Sequence, residues 1–240
     1  QLYVSYPRGY MKDGKVYPVI YLLDPDYSFA IANNIVNHFS DRDNLPESII
    51  VGLGYDIDPF DRDAYKNNRT RDYTPTKSVR NDHYTNESFQ MAGGVDKFIS
   101  DIEHIIFPFM EKHYNVGSRT IVGHSFGGLI GSYILFTKPY LFSNYIILSP
   151  SLWYDDKMIF DVETKFSQQS KTLDVDVFFG IGSEENKHHK MVTDLQHFLK
   201  NINKHQYEKL TVELTVFDSE THNSVFPAAF TRAITKVLKH

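Results

Sequence analysis

The chain has 240 residues, of which 41% are hydrophobic and 23% charged, a balance typical of a globular protein that folds as one domain over residues 1–240. Its formal net charge is −5 and its isoelectric point is near 6.1, so it lacks the basic excess expected of proteins that bind nucleic acid or a membrane surface. The absence of cysteine excludes disulfides, thiolate metal sites and cysteine nucleophiles, and no apolar run approaches the roughly 20 residues that span a bilayer.

The chain begins with a predicted strand over residues 2–7. Neither an initiator methionine nor the basic, apolar and small-residue zones of a signal peptide precede it. We therefore expect upstream residues to be missing, including any targeting signal. The sequence consequently indicates neither the compartment of the protein nor its oligomeric state.

Short apolar runs alternate with longer helical patterns along the rest of the chain. Runs typical of strands buried on both faces occupy residues 19–23, 48–53, 119–122, 145–148 and 176–181. Residues 210–217 alternate between apolar and polar side chains, which is typical of a strand nearer a sheet edge. Helices are predicted over 95–109, where Pro108 is expected to disturb the last turns, and over 126–138, 190–201 and 227–239. This alternation predicts a mostly parallel central sheet with helices on both faces.

Two stretches lack this rhythm. Residues 55–93 are polar and aromatic without clear periodicity, and residues 151–170 begin with small, aromatic and acidic side chains before a weak helix. Both follow the carboxyl ends of predicted strands, where open α/β sheets bind their ligands. Because long irregular segments in a compact domain are more often functional than incidental, we expect both to flank a binding site.

A five-residue pattern lies between the strand at 119–122 and the helix at 126–138. It reads Gly123-His124-Ser125-Phe126-Gly127 and matches G-x-S-x-G. In this context the serine lies on a tight, strained turn that presents its hydroxyl above the sheet and requires small neighbours. The following helix directs its N-terminal dipole towards negative charge that develops there. Strand, turn and helix together predict the α/β-hydrolase fold with Ser125 as the nucleophile.

A nucleophilic serine needs a histidine base, and in this fold the acid and the histidine follow the serine in chain order. Eleven histidines are present. His124 lies within the turn itself, and its side chain is expected to point away from the serine. His222 lies in the loop between the last predicted strand and the last predicted helix, where this fold places its base. We therefore predict His222 as the base.

The acid that orients His222 is expected after the strand at 176–181, in Gly182-Ser183-Glu184-Glu185. A carboxylate three residues after the glycine is the usual arrangement, which selects Glu185. Glu184 is the alternative, and Asp218 is a further one because it ends the strand that leads to His222. Glutamate is chemically acceptable here, since the acid only fixes the histidine tautomer and stabilises the imidazolium.

Two backbone donors are needed to stabilise the oxyanion that forms when an ester is attacked. One is expected to be the amide of Phe126, the residue after the nucleophile. The other should come from the loop after the strand at 19–23, which reads Leu23-Asp24-Pro25-Asp26-Tyr27. Since proline has no N–H, Asp26 or Tyr27 must supply this donor, and we take Asp26 as the candidate.

A wider pattern appears in five blocks along the chain: residues 21–24 (YLLD), 69–75 (RTRDYTP), 123–128 (GHSFGG), 149–154 (SPSLWY) and 222–227 (HNSVFP). In content and order they resemble the esterase D-type branch of the α/β-hydrolases, most closely its siderophore esterases of the enterobactin/salmochelin type. The acid loop 183–185 and Asn223 depart from the family pattern, and the first departure leaves the identity of the acid open. The resemblance implies hydrolysis of a small-molecule ester without a metal or organic cofactor.

Basic side chains outnumber acidic ones between Arg62 and Arg80, in contrast to the acidic chain as a whole. If this segment overhangs the pocket, Arg69 and Arg71 would favour an anionic substrate such as a ferric catecholate siderophore. The alternative is that these two arginines hold the segment itself through carbonyls and carboxylates.

Aromatic residues that follow strand ends are candidates for the walls of an acyl or aryl pocket. They are Tyr27, Tyr55, Trp153 and Tyr154, together with Phe126. A single tryptophan is often part of the core instead. The predicted reaction proceeds through an acyl-enzyme. The alternatives are acyl transfer to an alcohol or sugar, and a binding protein that retains the fold without the chemistry.

Overall fold

The computed structural model describes residues 1–10, 14–43, 45–58, 60–77 and 90–238, except for the side chains at 188 and 189. Within these residues one sheet contains β1 (Leu2–Ser5), β2 (Tyr17–Leu23), β3 (Ile49–Leu53), β4 (Val116–His124), β5 (Asn144–Leu148), β6 (Asp176–Gly182) and β7 (Thr211–Phe217). The order across the sheet is β1-β3-β2-β4-β5-β6-β7, with β1 antiparallel to β3 and every other neighbouring pair parallel. The predicted mostly parallel sheet is confirmed, and β7 lies at its edge.

Helices cover both faces of this sheet. They are α1 (Pro25–Arg42), α2 (Arg62–Tyr73), α3 (Val95–Asp101), α4 (Phe107–His113), α5 (Phe126–Thr137), α6 (Tyr154–Gln169), α7 (Asn186–His189), α8 (Met191–His205) and α9 (Val225–Val237). A π-helical segment, Ile102–Ile106, joins α3 to α4 just before Pro108. None of the described helices is both long and apolar enough to cross a bilayer.

Two apolar cores, one on each face of the sheet, hold these helices in place. Because successive side chains of a strand point to opposite faces, Tyr21 of β2 joins one core and Leu22 joins the other. Helix α5 packs into the first core through Leu129, whereas α1 and α9 meet in the second through Ala32 and Phe230. Full burial of each large apolar side chain contributes about 1.5–3 kcal/mol. Because both faces of the sheet are covered, the central strands appear in the sequence as continuous apolar runs.

Helices α1 and α2 differ from the sequence-based expectation, which contains neither. Helix α2 lies inside the stretch 55–93 that was expected to be irregular, and its buried residues include the polar side chain of Asp72. Helix α2 lacks a broad apolar stripe, so periodicity alone does not reveal it. Helix α1 does carry apolar residues at helical spacing, Phe29, Ala32, Val36 and Phe39, although the sequence-based expectation leaves this helix out. The start signals of both helices are local: Pro25 occupies the first turn of α1, and the Asp61 side chain accepts a hydrogen bond from the Ala64 amide, 2.9 Å away, at the start of α2.

Candidate active site

The turn between β4 and α5 holds Ser125 in a strained backbone conformation. Its φ is 62° and its ψ is −118°, values that a non-glycine residue rarely adopts. Glycine is required beside it, since a Cβ on Gly123 would lie 2.0 Å from the carbonyl oxygen of Gly127. The Ser125 amide donates to the carbonyl of Leu148, 3.0 Å away, which fixes the turn against β5. The turn thus has the geometry that the G-x-S-x-G pattern predicts.

His222 and Glu185 meet at the carboxyl ends of two neighbouring parallel strands. Glu185 lies in the 3₁₀ turn that follows β6, and His222 lies in the loop that follows β7. The distance from His222 Nδ1 to Glu185 Oε2 is 2.6 Å. The Glu185 Oε1 atom accepts two further hydrogen bonds, from Ser149 Oγ and from the Gly182 amide, each at 2.7 Å. The carboxylate is therefore fixed at both oxygens.

The charge on Glu185 is retained although the residue is only 5% exposed. Burial by itself would raise the pKa of Glu185, but the hydrogen bonds from His222, Ser149 and the Gly182 amide outweigh it and lower the pKa below its ordinary value. The carboxylate is therefore ionised near neutral pH. It accepts a hydrogen bond from the Nδ1–H group of His222, which leaves Nε2 of the imidazole as the free base.

The two alternative acids lie elsewhere. The Glu184 carboxylate forms an ion pair with Lys187 on the surface. The Asp218 carboxylate accepts a hydrogen bond from Ser219 Oγ at 3.3 Å. Of the three candidate carboxylates, the structure brings Glu185 to the histidine.

The Ser125 hydroxyl contacts a second serine in this structure. Ser151 Oγ is 3.4 Å from Ser125 Oγ, and the Ser151 amide donates to the Ser125 carbonyl at 3.1 Å. In unliganded hydrolases the hydrogen bond between serine and histidine is often long and tightens only with substrate. Ser151 is not among the site residues predicted from the sequence, although it lies in the 149–154 block that carries the family resemblance.

The candidate oxyanion donors lie at the N-termini of two helices. Phe126 is the first residue of α5 and Asp26 is the second residue of α1, and amides at helix N-termini can donate to a bound anion. Asp24, which precedes α1, adopts a left-handed conformation with φ of 51°. Its amide donates to Tyr73 Oη at 3.1 Å, so α2 helps to fix the turn that carries Asp26.

A buried ion pair joins this turn to the nucleophile turn. Arg69 of α2 binds Asp24 through two hydrogen bonds of 2.7 and 2.9 Å, and Tyr65 Oη donates to the same carboxylate at 2.7 Å. The guanidinium also donates to the His124 carbonyl at 3.3 Å and lies 5.4 Å from the centre of the Phe126 ring. Asp24 is 1% exposed, so each charge needs the other. Arg69 thus lies beside the site with its bidentate fork occupied by Asp24.

Two other arginines of this segment are more accessible. Arg71 pairs with Asp72 at 2.7 Å while 42% of its side chain remains exposed. Arg62 on the same helix is 67% exposed and lies 3.9 Å from Asp26. Arg80 lies outside the described residues. Arg69 and Arg71 therefore both form intramolecular ion pairs, as the alternative interpretation of this segment expects. Their contact with a substrate stays a prediction.

The predicted pocket aromatics fall into accessible and buried groups. Tyr27 is 38% exposed, and Trp153 is half-buried with its ring 5.9 Å from that of Phe126. Tyr55 lines a cavity of about 110 Å³ beside α2. Tyr154, in contrast, is 1% exposed and donates its hydroxyl to the Thr76 carbonyl at 2.6 Å. Tyr154 therefore offers a substrate almost no accessible surface and belongs to the core beneath Phe126.

His124 is the residue whose surroundings the sequence revealed least. Its side chain lies against the imidazole of His222, with ring centroids 4.5 Å apart. Its predicted orientation away from the serine hydroxyl stays a prediction. A side chain adjacent to a nucleophile carries no sequence signal for this contact, because the contact depends on how α1 and α9 pack.

Comparison with known proteins relates these features to a family. The sequence model of the Esterase family, described as "Putative esterase", matches residues 1–237. The ferri-bacillibactin esterase BesA of Bacillus subtilis (strain 168) is 30% identical over 235 residues, which cover 91% of this chain and 78% of that protein.

Solved structures agree over the whole chain. The crystal structure of the BES protein from Bacillus cereus has a TM-score of 0.84 at 27% identity, covering 100% of this chain and 90% of that one. The IroE-like serine hydrolase from Shewanella oneidensis has a TM-score of 0.86 at 26% identity, and the match covers 99% of this chain and 75% of that one. The chain therefore belongs to the Esterase family and is a serine esterase with the α/β-hydrolase fold, which hydrolyses carboxylic esters.

Proposed function

We propose that Ser125, His222 and Glu185 form the catalytic triad of this esterase and that its substrate is a siderophore ester. One observation carries the triad assignment. The serine with the strained backbone lies on the same edge of the sheet as a histidine that is hydrogen-bonded, at 2.6 Å, to a buried and ionised glutamate. A nucleophile, a base and an orienting acid are the three groups that acyl transfer through serine requires.

The reaction follows from these positions. The Ser125 hydroxyl leaves its contact with Ser151 and gives its proton to His222 Nε2 while Oγ attacks the ester carbonyl carbon. The carbonyl oxygen becomes negatively charged and accepts hydrogen bonds from the amides of Phe126 and Asp26. When the C–O bond to the alcohol breaks, His222 returns the proton to the alcohol oxygen. Water then attacks the acyl-enzyme by the same steps, releasing the acid and the free serine.

Two lines support a siderophore ester as the substrate. The similar proteins include one named ferri-bacillibactin esterase and one titled IroE-like serine hydrolase. Helix α2 presents Arg62 and Lys66 with 67% and 57% of their side chains exposed, and Arg62 lies 3.9 Å from Asp26 in the turn that carries the candidate donor. Exposed cations at this position attract an anionic substrate, as a ferric catecholate is.

A comparison of esters tests the substrate proposal. We expect kcat/KM for a catecholate trilactone, with and without bound iron, to exceed that for a short p-nitrophenyl ester by about 100-fold, since remote binding energy accelerates the reaction of the specific substrate. Equal and slow turnover of both would remove the siderophore assignment while leaving the esterase intact. An added acceptor alcohol reveals any acyl transfer as a new ester product.

A matched pair of neighbouring substitutions tests the acid. We expect Glu185→Gln to lower kcat by about 10³- to 10⁴-fold, because the amide no longer fixes the His222 tautomer or stabilises its charge. Glu184→Gln changes the adjacent residue in the same way and should stay within about twofold of the wild type, since exposed ion pairs contribute little. A large loss in Glu184→Gln with none in Glu185→Gln would reverse the assignment.

A further inference from the structure

His124 is enclosed by groups from three separate elements. The side chain is only 8% exposed. One face of its ring lies against His222, with centroids 4.5 Å apart and the planes inclined by 37°. Phe226, from the first turn of α9, meets the His124 ring nearly at right angles with centroids 6.2 Å apart. The imidazole therefore fills the space behind His222.

A tyrosine hydroxyl fixes the orientation of this ring. Tyr27 Oη, from the first turn of α1, is 3.2 Å from His124 Nδ1. The Tyr27 ring in turn packs at 80° on Phe226, with centroids 5.5 Å apart. Phe226 is 4% exposed and stacks on Phe230, so it cannot shift without disturbing the second core. Together these contacts hold the His124 ring in one position.

His124 is uncharged at the pH at which esterases work. Burial lowers the pKa of His124 to about 3, and positive charge on His222 opposes its protonation further. When His222 takes up the serine proton, its new charge therefore appears beside a neutral aromatic ring. Because that ring carries no charge, it does not repel the imidazolium.

The contact with Glu185 alone does not determine where the base points. That hydrogen bond holds Nδ1, one edge of the His222 ring, and leaves the ring free to pivot about it. Proton transfer requires Nε2 to come within about 3 Å of the serine oxygen. Packing on the ring face removes the pivoting motion.

We propose that His124, held by the Tyr27 hydroxyl, is a positioning residue that fixes the His222 imidazole for proton transfer. The proposal rests on the proposed role of His222 as the base. His124 would then act on the base as well as forming part of the G-x-S-x-G turn. Through Tyr27 it also links α1, which carries one candidate oxyanion donor, to His222.

Substitutions of His124 that keep or remove the ring test this role. We expect His124→Ala to lower kcat for a p-nitrophenyl ester by about 10- to 100-fold with little change in KM, because misplacement of a catalytic group by about 1 Å has costs of this size. His124→Phe keeps a neutral ring against His222 and should recover about tenfold of that loss. Thermal unfolding confirms that each variant is folded. A kcat for His124→Ala within about twofold of the wild type would overturn the proposal, as would a loss confined to KM.

Tyr27→Phe provides a second test that does not depend on how well the His124 variants fold. It removes one hydroxyl and keeps the ring on Phe226. We expect kcat to fall by about two- to tenfold, the value of one hydrogen bond, with KM unchanged. An unchanged kcat with a raised KM would identify Tyr27 as a substrate contact and contradict the proposal.

The failure of this proposal and that of the triad are distinguishable. A fluorophosphonate that labels Ser125 in the wild type supports the triad whatever the variants do. Its rate of labelling should fall in His124→Ala by the same factor as kcat. Normal labelling and hydrolysis in the wild type, His124→Ala and Tyr27→Phe would leave the triad standing and remove the positioning role alone.

Discussion

The buried, uncharged state of His124 has a measurable consequence for acid stability. Burial lowers its pKa from 6.5 to about 3, so between these values the unfolded chain binds a proton that the folded protein does not. The folded state therefore keeps its full stability above pH 6.5 and loses it as the pH falls towards 3. Each pKa unit corresponds to about 1.36 kcal/mol. Between pH 6.5 and pH 5 the loss from this one residue amounts to about 2 kcal/mol.

Urea unfolding at pH 7.5 and pH 5.0 measures this loss. His124→Phe has no proton to take up at this position, while all other titrating groups are the same in both proteins. From pH 7.5 to pH 5.0 we expect the free energy of unfolding to fall by about 2 kcal/mol more in the wild type than in His124→Phe. His104→Gln is the matched control, because it removes an imidazole that is 67% exposed. Its free energy of unfolding should fall by as much as that of the wild type. Equal losses in the wild type and His124→Phe would refute the burial of a neutral imidazole.

Two further sets of substitutions probe the framework around the nucleophile. Arg69→Met leaves Asp24 buried without its cation and should lower the free energy of unfolding by about 3 kcal/mol, and adding Asp24→Asn should recover part of this loss. Chemical denaturation of the wild type, the two single variants and the double variant gives the coupling energy between the two residues. Additive losses would contradict the ion pair. Ser125→Gly should abolish hydrolysis, yet its free energy of unfolding should exceed that of Ser125→Ala by about 1 kcal/mol, because glycine tolerates the φ of 62°. Equal stability of these two variants would show that the turn is unstrained.

The sheet and the triad candidates are the parts that could be predicted from the sequence. Strands buried on both faces appear as unbroken apolar runs, and β2 and β5 are of this kind. The serine turn has a signature because its backbone requires Gly123 and Gly127. His222 could be predicted from chain order and loop position, since parallel strands bring their carboxyl ends to one edge.

The features that escaped prediction depend on contacts between distant segments. An ion pair of Arg69 with a carboxylate was one of the two sequence-based alternatives, but Asp24 as its partner and the burial of the pair could not be predicted, because the two residues lie 45 positions apart and neither residue type indicates burial on its own. Tyr154 was expected on a pocket wall because it follows a strand end, but the packing of α6 against α5 covers it. The position of His124 likewise depends on Tyr27 and Phe226 from opposite ends of the chain.

The role of Ser125 as the nucleophile is tested most directly by covalent labelling. The purified protein is treated with a fluorophosphonate, and peptide mass spectrometry locates the adduct, while hydrolysis of a p-nitrophenyl ester is measured for the wild type and Ser125→Ala. We expect one adduct on Ser125 in the wild type, and no adduct and no hydrolysis in a folded Ser125→Ala. Continued hydrolysis by Ser125→Ala, or an adduct on a different residue, would contradict the assignment of the nucleophile.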